Sequence, residues 1–284
     1  MRLSISNIAW DPAEDEAVLA LLKARGVDAI DVAPSKYFPD PMHASDSEIA
    51  RVRRWWNDRG VELVGMQSLL FGTSGLNMFG SDQSQKAMLS RLAAVARIGA
   101  GLGATRLVFG SPRNRDRSGL TDQQTLETAI RFFRCLGDVA AGSGVTICLE
   151  PNPIRYGANF MTSTEETARV VTEVGHANVR MQLDTGAMTV NAEDVDQVIR
   201  QHFDLIAHVH ASEPDLRTLG DGTTPHQRVH DALCKHLPDR IVTIEMLASE
   251  NEPHLISIER ALETAISAYR SPGVPRRSPL DAHR

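Results

Sequence analysis

"AHVHASEP" (207–214) alternates small or apolar residues with imidazoles, which is the period of a β-strand. His208 and His210 then share one face, and Ser212 and Glu213 end the run. One reading is a partly exposed strand. The other is a strand that delivers a metal ligand to the mouth of a barrel. The rest of the chain decides between them.

Working outward, seven more short apolar runs appear: 3–10, 29–34, 61–70, 106–112, 145–152, 179–187 and 241–247, with 205–213 around the opening stretch. Several are too continuously apolar to have a wet face, which suits a buried parallel sheet. Helical patterns separate them. Asp11 followed by Pro12 starts one that stops at Gly26, and "DSEIARVRRWWNDRG" stops at Gly60. Thr121 with Gln124, and Ser163 with Glu166, have capping-box spacing. Further helices fall near 82–99, 191–202, 225–236 and 253–270. Strand then helix, eight times, predicts an α/β fold of the (β/α)8 TIM barrel type. A doubly wound open sheet would need a phosphate loop between a strand and a helix. The only candidate, "GAGLG" (99–103), follows a helix and precedes a strand, so it reads as a helix stop. The barrel occupies 1–270 as a single domain. The Pro- and Arg-rich 271–284 reads as a mobile tail.

Composition narrows the function. The chain has 284 residues, 42% of them hydrophobic, enough for one large core. A net charge of −6 argues against a nucleic-acid partner. No apolar run is long enough to span a bilayer, and no signal core opens the chain, so no membrane partner is expected. Cys135, Cys148 and Cys234 lack paired spacing. The expected setting is soluble, reducing and cytoplasmic.

In such a barrel, chemistry sits at the C-terminal ends of the strands. Glu150, Asp184, His210 and Glu245 stand at the ends of four consecutive runs. Singly, each has an ordinary structural explanation. Together, three converging carboxylates would repel one another and raise their pKa values. A divalent cation relieves that repulsion. Three oxygen donors with one imidazole suit Mn²⁺, Mg²⁺ or Co²⁺, and Zn²⁺ as a further option, without choosing among them; Mn²⁺ is taken as the first candidate.

This ligand order, with the motifs "LEPNPIRYGANF", "QLDTGA", "HVHASEP", "LGDG" and "IEML", resembles the xylose isomerase-like TIM barrel superfamily, and within it the ketose 3-epimerase and hydroxypyruvate isomerase branch. The resemblance covers roughly 1–270. It implies an isomerase or epimerase acting on a sugar, sugar acid or sugar phosphate. Glu150 and Glu245 would both hold the metal and move protons, through an enediolate. A homo-oligomer, dimer or tetramer, is implied by the same analogy. The sequence departs from the family at two positions: Ala187 stands where a substrate-contacting His is common, and Gly157 where a Glu is common. An ordinary free ketohexose is therefore not the expected substrate.

Loop residues supply further candidates. Arg113, Arg115 and Arg117 cluster after the fourth run and suit an anion or a solvated loop equally. "LLFGTSGLNMFG" (69–80) reads as a lid or a packing loop. Lys36, Gln67 and Arg217 are candidate substrate contacts, and His208 lines the pocket or supports His210. A lyase or dehydratase would use the same four ligands. An endonuclease-like phosphodiesterase would need more of them. A non-catalytic sugar-binding protein also fits the two departures.

Overall fold

The computed structural model describes residues 1–270. The tail reading for 271–284 lies outside the described residues. Eight strands run in order: β1 (Leu3–Ser6), β2 (Ala29–Val32), β3 (Glu62–Met66), β4 (Arg106–Phe109), β5 (Thr146–Leu149), β6 (Val179–Asp184), β7 (Ile206–Ser212) and β8 (Val242–Glu245). Each pairs in parallel with its sequence neighbour. β8 returns to β1 through Leu3↔Val242 and Ile5↔Ile244, closing the barrel. Closure leaves no exposed strand edge.

The helices form the outer layer: α1 (Asp15–Ala24), α2 (Asp46–Asn57), α3 (Asp82–Leu102), α4 (Asp122–Ser143), α5 (Thr164–Val174), α6 (Thr185–Val190), α7 (Val195–His202), α8 (His226–His236) and α9 (His254–Tyr269). Local chemistry sets their ends. The Thr121–Gln124 capping box opens α4 in both directions. At α5 only half of the expected box forms. Ser163 accepts from Glu166 N, but the Glu166 carboxylate turns back to Thr162. Gly103 ends α3 in the left-handed region at φ 84°, as a helix stop requires. The expected strand over 179–187 is shorter than its apolar run. At Asp184 the chain turns directly into α6, because the Asp184 side chain caps that helix.

The core lies inside the barrel and between strands and helices. Leu92, Phe133, Ile258 and the Trp56 ring are all buried in the outer layer. Truncating one of them, for example Leu92→Ala, removes packing worth about 2–5 kcal/mol.

Two ladders slip by one residue. Between β2 and β3, Ile30 pairs Leu63 but Asp31 pairs Gly65. Between β6 and β7, Met181 pairs Ile206 but Gln182 pairs His208. Each slip leaves one extra residue, Val64 or Ala207, and resets the alternation beyond it. On β7 the result places His208 beside Gln182 and His210 beside Asp184.

Candidate metal centre

The four strands β5 to β8 each bring one charged group to the C-terminal mouth. Glu150 follows β5 immediately. Gly110, at the end of β4, leaves room for it, since a Cβ there would sit 1.9 Å from Glu150 Oε2. Asp184 is held twice: Oδ1 accepts from Ala187 N at 2.6 Å, and Oδ2 accepts from Ser212 Oγ at 2.8 Å. Glu245 Oε1 accepts from Gln67 Nε2 at 2.5 Å. His210 Nδ1 lies 3.1 Å from Glu245 Oε2 and 3.6 Å from Glu150 Oε1. Donor atoms of all four residues fall within 4.8 Å of one another.

The electrostatics are those of a crowded anionic site. Burial, and then the charges of Glu245 and Glu150, push Asp184 up to about 8. Burial would also raise Glu245, but the His210 charge and hydrogen bonds from His210 and Gln67 outweigh it and lower its pKa. Burial works against a charged His210, yet the surrounding carboxylates raise its pKa. Glu150 Oε1 is buried and has no hydrogen-bond partner. An orphaned carboxylate oxygen beside two more carboxylates and an imidazole fits a divalent cation.

A second group lies below the first. Asp31 Oδ2 is 2.6 Å from His208 Nε2 and 3.5 Å from His210 Nε2. Burial opposes the Asp31 charge, but the two imidazoles hold its pKa well below the carboxylate range. Asp31 lies on the Nε2 side of His210, and Glu245 and Glu150 lie on its Nδ1 side, so each imidazole nitrogen faces a carboxylate. Gly65 makes this possible, because a Cβ there would lie 2.6 Å from the Asp31 carboxylate. Sequence reasoning passed over Asp31. Its signal was a lone carboxylate inside the apolar run "AIDVAP".

Arg115 does not face solvent or an anion in its loop. Its side chain is wholly buried, with Nη1 donating to the Glu150 carbonyl at 2.7 Å. Burial lowers its pKa to about 10, against the pull of Glu150 and Glu166. Arg117 pairs with Asp122 at 2.5 Å and Arg113 is exposed, so the three arginines do not converge on one anion.

Above the cluster, two adjoining clefts of about 290 and 340 Å³ share Glu150, Asn152, Leu216 and Glu245. Gln67 and Phe71 line the first; Tyr156, Asp184 and Ala187 line the second. Phe71, on the 69–80 loop, is 71% exposed. Other candidates point elsewhere. Lys36 Nζ donates to the Trp10 carbonyl. Arg217 Nη2 lies 3.8 Å from Asp215 and outside both linings, as does Arg113. Strand-end loops carry these cations, but none of them is in either lining, although Asp215, beside Arg217, lines the second cleft. His208 supports Asp31 rather than lining the cleft. Gly157, at φ 81°, is likewise outside both linings.

Known proteins place this geometry in a family. The family model described as "Xylose isomerase-like TIM barrel" matches residues 19–270. A D-psicose 3-epimerase of Ruminiclostridium cellulolyticum is 29% identical over 108 residues, 38% of this chain and 36% of the relative. The match thus spans about a third of that relative's length. Among solved structures, D-psicose 3-epimerase with D-tagatose from Clostridium cellulolyticum H10 superposes with a TM-score of 0.79 at 19% identity, covering 95% of this chain and 99% of that one. The apo form of 3-keto-D-glucoside 4-epimerase from E. coli gives 0.75 at 17% identity, over 92% and 98%. No helix among the described residues is long and apolar enough to cross a membrane. The closed parallel barrel and the match across most of its length establish that this chain belongs to the xylose isomerase-like TIM barrel family.

Proposed function

We propose that the protein is a divalent-metal-dependent isomerase or epimerase of a small keto sugar, sugar acid or sugar phosphate. One observation carries the reading: Glu150 and Glu245 face one cleft and share His210 Nδ1 between them, with Asp184 close by. Glu150, Asp184, His210 and Glu245 would hold the cation, with Mn²⁺ the first candidate for three carboxylates and one imidazole. A bound cation supplies Lewis acidity, polarising a substrate carbonyl and acidifying the neighbouring C–H.

The chain's own groups do the rest. Glu150 Oε1, without a partner, takes or returns a proton at the carbon next to the carbonyl. Glu245 does the converse from the other side of the cluster, with Gln67 fixing its carboxylate. Proton return on the opposite face of the same carbon gives an epimer. Return at the neighbouring carbon gives an aldose–ketose shift. Tyr156 and Ala187 make one wall of the cleft. With a methyl at 187 and Gly157 turned away, that wall suits a substrate less polar there than a free ketohexose. Epimerase activity of the named relatives, over the third of their length that matches, supports the same class.

The test is solvent exchange. Mn²⁺-loaded protein is incubated in D₂O with ketoses, sugar acids and sugar phosphates, and C–H loss is read by mass spectrometry. Exchange next to a carbonyl, lost in Glu150→Gln and Glu245→Gln, is the expected result. Loss of a substituent as a new carbonyl compound forms, with no isomer, would replace the epimerase reading by a lyase. Binding with no exchange in any substrate would replace it by a sugar-binding protein.

A further inference from the structure

The opposite mouth of the barrel holds a cavity of about 460 Å³. Its walls come from the N-terminal ends of the strands. Arg2 precedes β1, Glu62 and Arg106 begin β3 and β4, and Arg240 precedes β8. Arg53 reaches in from α2. The two residues left over by the ladder slips, Val64 and Ala207, also line it, and His208 is at its inner end.

The charges in this cavity are unusual for the molecule. Arg2 is neutralised by Asp28 at 2.9 Å and Glu62 at 2.8 Å. The other three are not. Arg53 has a single long bond, 3.5 Å to the Gly101 carbonyl. Arg106 reaches only its neighbour Thr105. Arg240 Nε is buried without a hydrogen-bond partner. Among the described residues, no carboxylate forms an ion pair with any of these three, and Asp239 is the one further acid in the lining. Elsewhere the chain pairs its arginines freely: Arg25 with Glu259 and Glu263, Arg228 with Asp194 and Asp196, Arg260 with Asp221 and Glu252. An acidic chain of net charge −6 has carboxylates to spare, so their scarcity here is local. Burial, followed by the nearby charges of Arg106 and Arg180, works against the Arg240 cation. Like charges gathered in a concave, partly desolvated space are stabilised by an anion.

We infer that the N-terminal mouth of the barrel is a binding site for a phosphate-bearing small molecule, held by Arg53, Arg106 and Arg240 at the end opposite the four-residue cluster. Guanidinium forks match phosphate oxygens in pairs. The cavity is of the size that holds a small organic ligand, roughly 300–1,000 Å³. The site does not depend on the activity proposed above, since it shares no charged residue with the metal cluster.

Isothermal titration of the metal-loaded full chain tests it, with inorganic phosphate in one arm and ribose 5-phosphate in the other. Saturable binding is expected in the wild type. It should survive in Asp184→Asn, which damages only the metal cluster, and weaken about tenfold in Arg240→Gln. Arg53→Gln gives the same readout from an exposed helix position, where the fold is not at stake. Tighter binding of ribose 5-phosphate than of phosphate identifies an ester as the ligand; equal binding identifies the free anion. Binding lost in Asp184→Asn but kept in both arginine variants would put the anion on the metal and overturn the inference. So would the absence of saturable binding below about 10 mM.

Discussion

The two mouths of this barrel carry opposite charge and handle it in opposite ways. At the C-terminal mouth, Glu150, Asp184 and Glu245 crowd around His210 within 4.8 Å, largely buried. At the N-terminal mouth, Arg53 is exposed and Arg106 and Arg240 are half-buried in the walls of an open cavity. Buried like charges cost far more than wetted ones, because water no longer screens them. The first mouth therefore needs a counter-ion to be stable in its charged form. The second tolerates one. The contrast separates a structural need for a cation from a mere capacity for an anion.

The strongest way to break the comparison is to remove one buried carboxylate. Asp184→Asn keeps the α6 cap, since Asn also caps helices. In the wild type, saturating Mn²⁺ should raise stability by about 3–4 kcal/mol at a few hundred times Kd or more. In Asp184→Asn that gain should vanish in a calorimetric melt, while the metal-free variant melts no lower than metal-free wild type. A wild-type Mn²⁺ response in the variant would mean that the ion sits elsewhere.

A smaller effect is expected one layer down. Asp31→Asn leaves all four donors in place but loosens the orientation of His210. Mn²⁺ affinity should fall about 10–100-fold by titration. An unchanged affinity would reduce Asp31 to a packing residue.

Acidity sharpens the same point. Burial and the neighbouring carboxylates push the Asp184 pKa up to about 8, so a proton competes with the cation below that pH. Mn²⁺ affinity should rise with pH as Asp184 and His210 give up their protons. Because the folded pKa is raised, the protonated carboxyl stabilises the metal-free fold at low pH, and that contribution fades as pH climbs from about 4 toward 8. A metal-free melting temperature that increases over that range would contradict the assignment.

The smallest effect belongs to the other mouth. Arg106→Gln should change stability by no more than about 0.5 kcal/mol in a denaturant titration at moderate salt. A loss several times larger would show that this arginine holds the barrel together rather than standing ready for a ligand.

The barrel itself was legible in the sequence because its strands are buried on both faces. Runs such as "AIDVAP" and "VTICLEPN" are mostly apolar, each with a single carboxylate, and Gly, Pro and cap residues bound the helices between them. The handover from β6 to α6 was not legible, since "VRMQLDTGA" has no loop between strand and helix and only the Asp184 side chain caps the change. The convergence of Glu150, Asp184, His210 and Glu245 followed from one rule, that charged strand ends meet at one mouth. The direction of a long side chain follows no such rule. Lys36 and Arg217 stood in suitable loops, yet one reaches the Trp10 carbonyl and the other lies beside Asp215. Asp31 and His208 are 177 positions apart, so no local pattern could have joined them.

Closure of β8 onto β1 has a consequence for the order of synthesis. The four residues of the C-terminal cluster lie in the second half of the chain, and the last of them, Glu245, ends the strand that seals the barrel. A ribosome emits β1 to β4 first; they can pair with one another, but the outer edge of β1 stays open until β8 arrives. Until residue 245 has emerged there is no complete cluster, and no closed barrel either. Assembly of the metal centre and completion of the fold thus fall on the same late event, and a nascent chain stalled before it would offer bare strand edges to its neighbours.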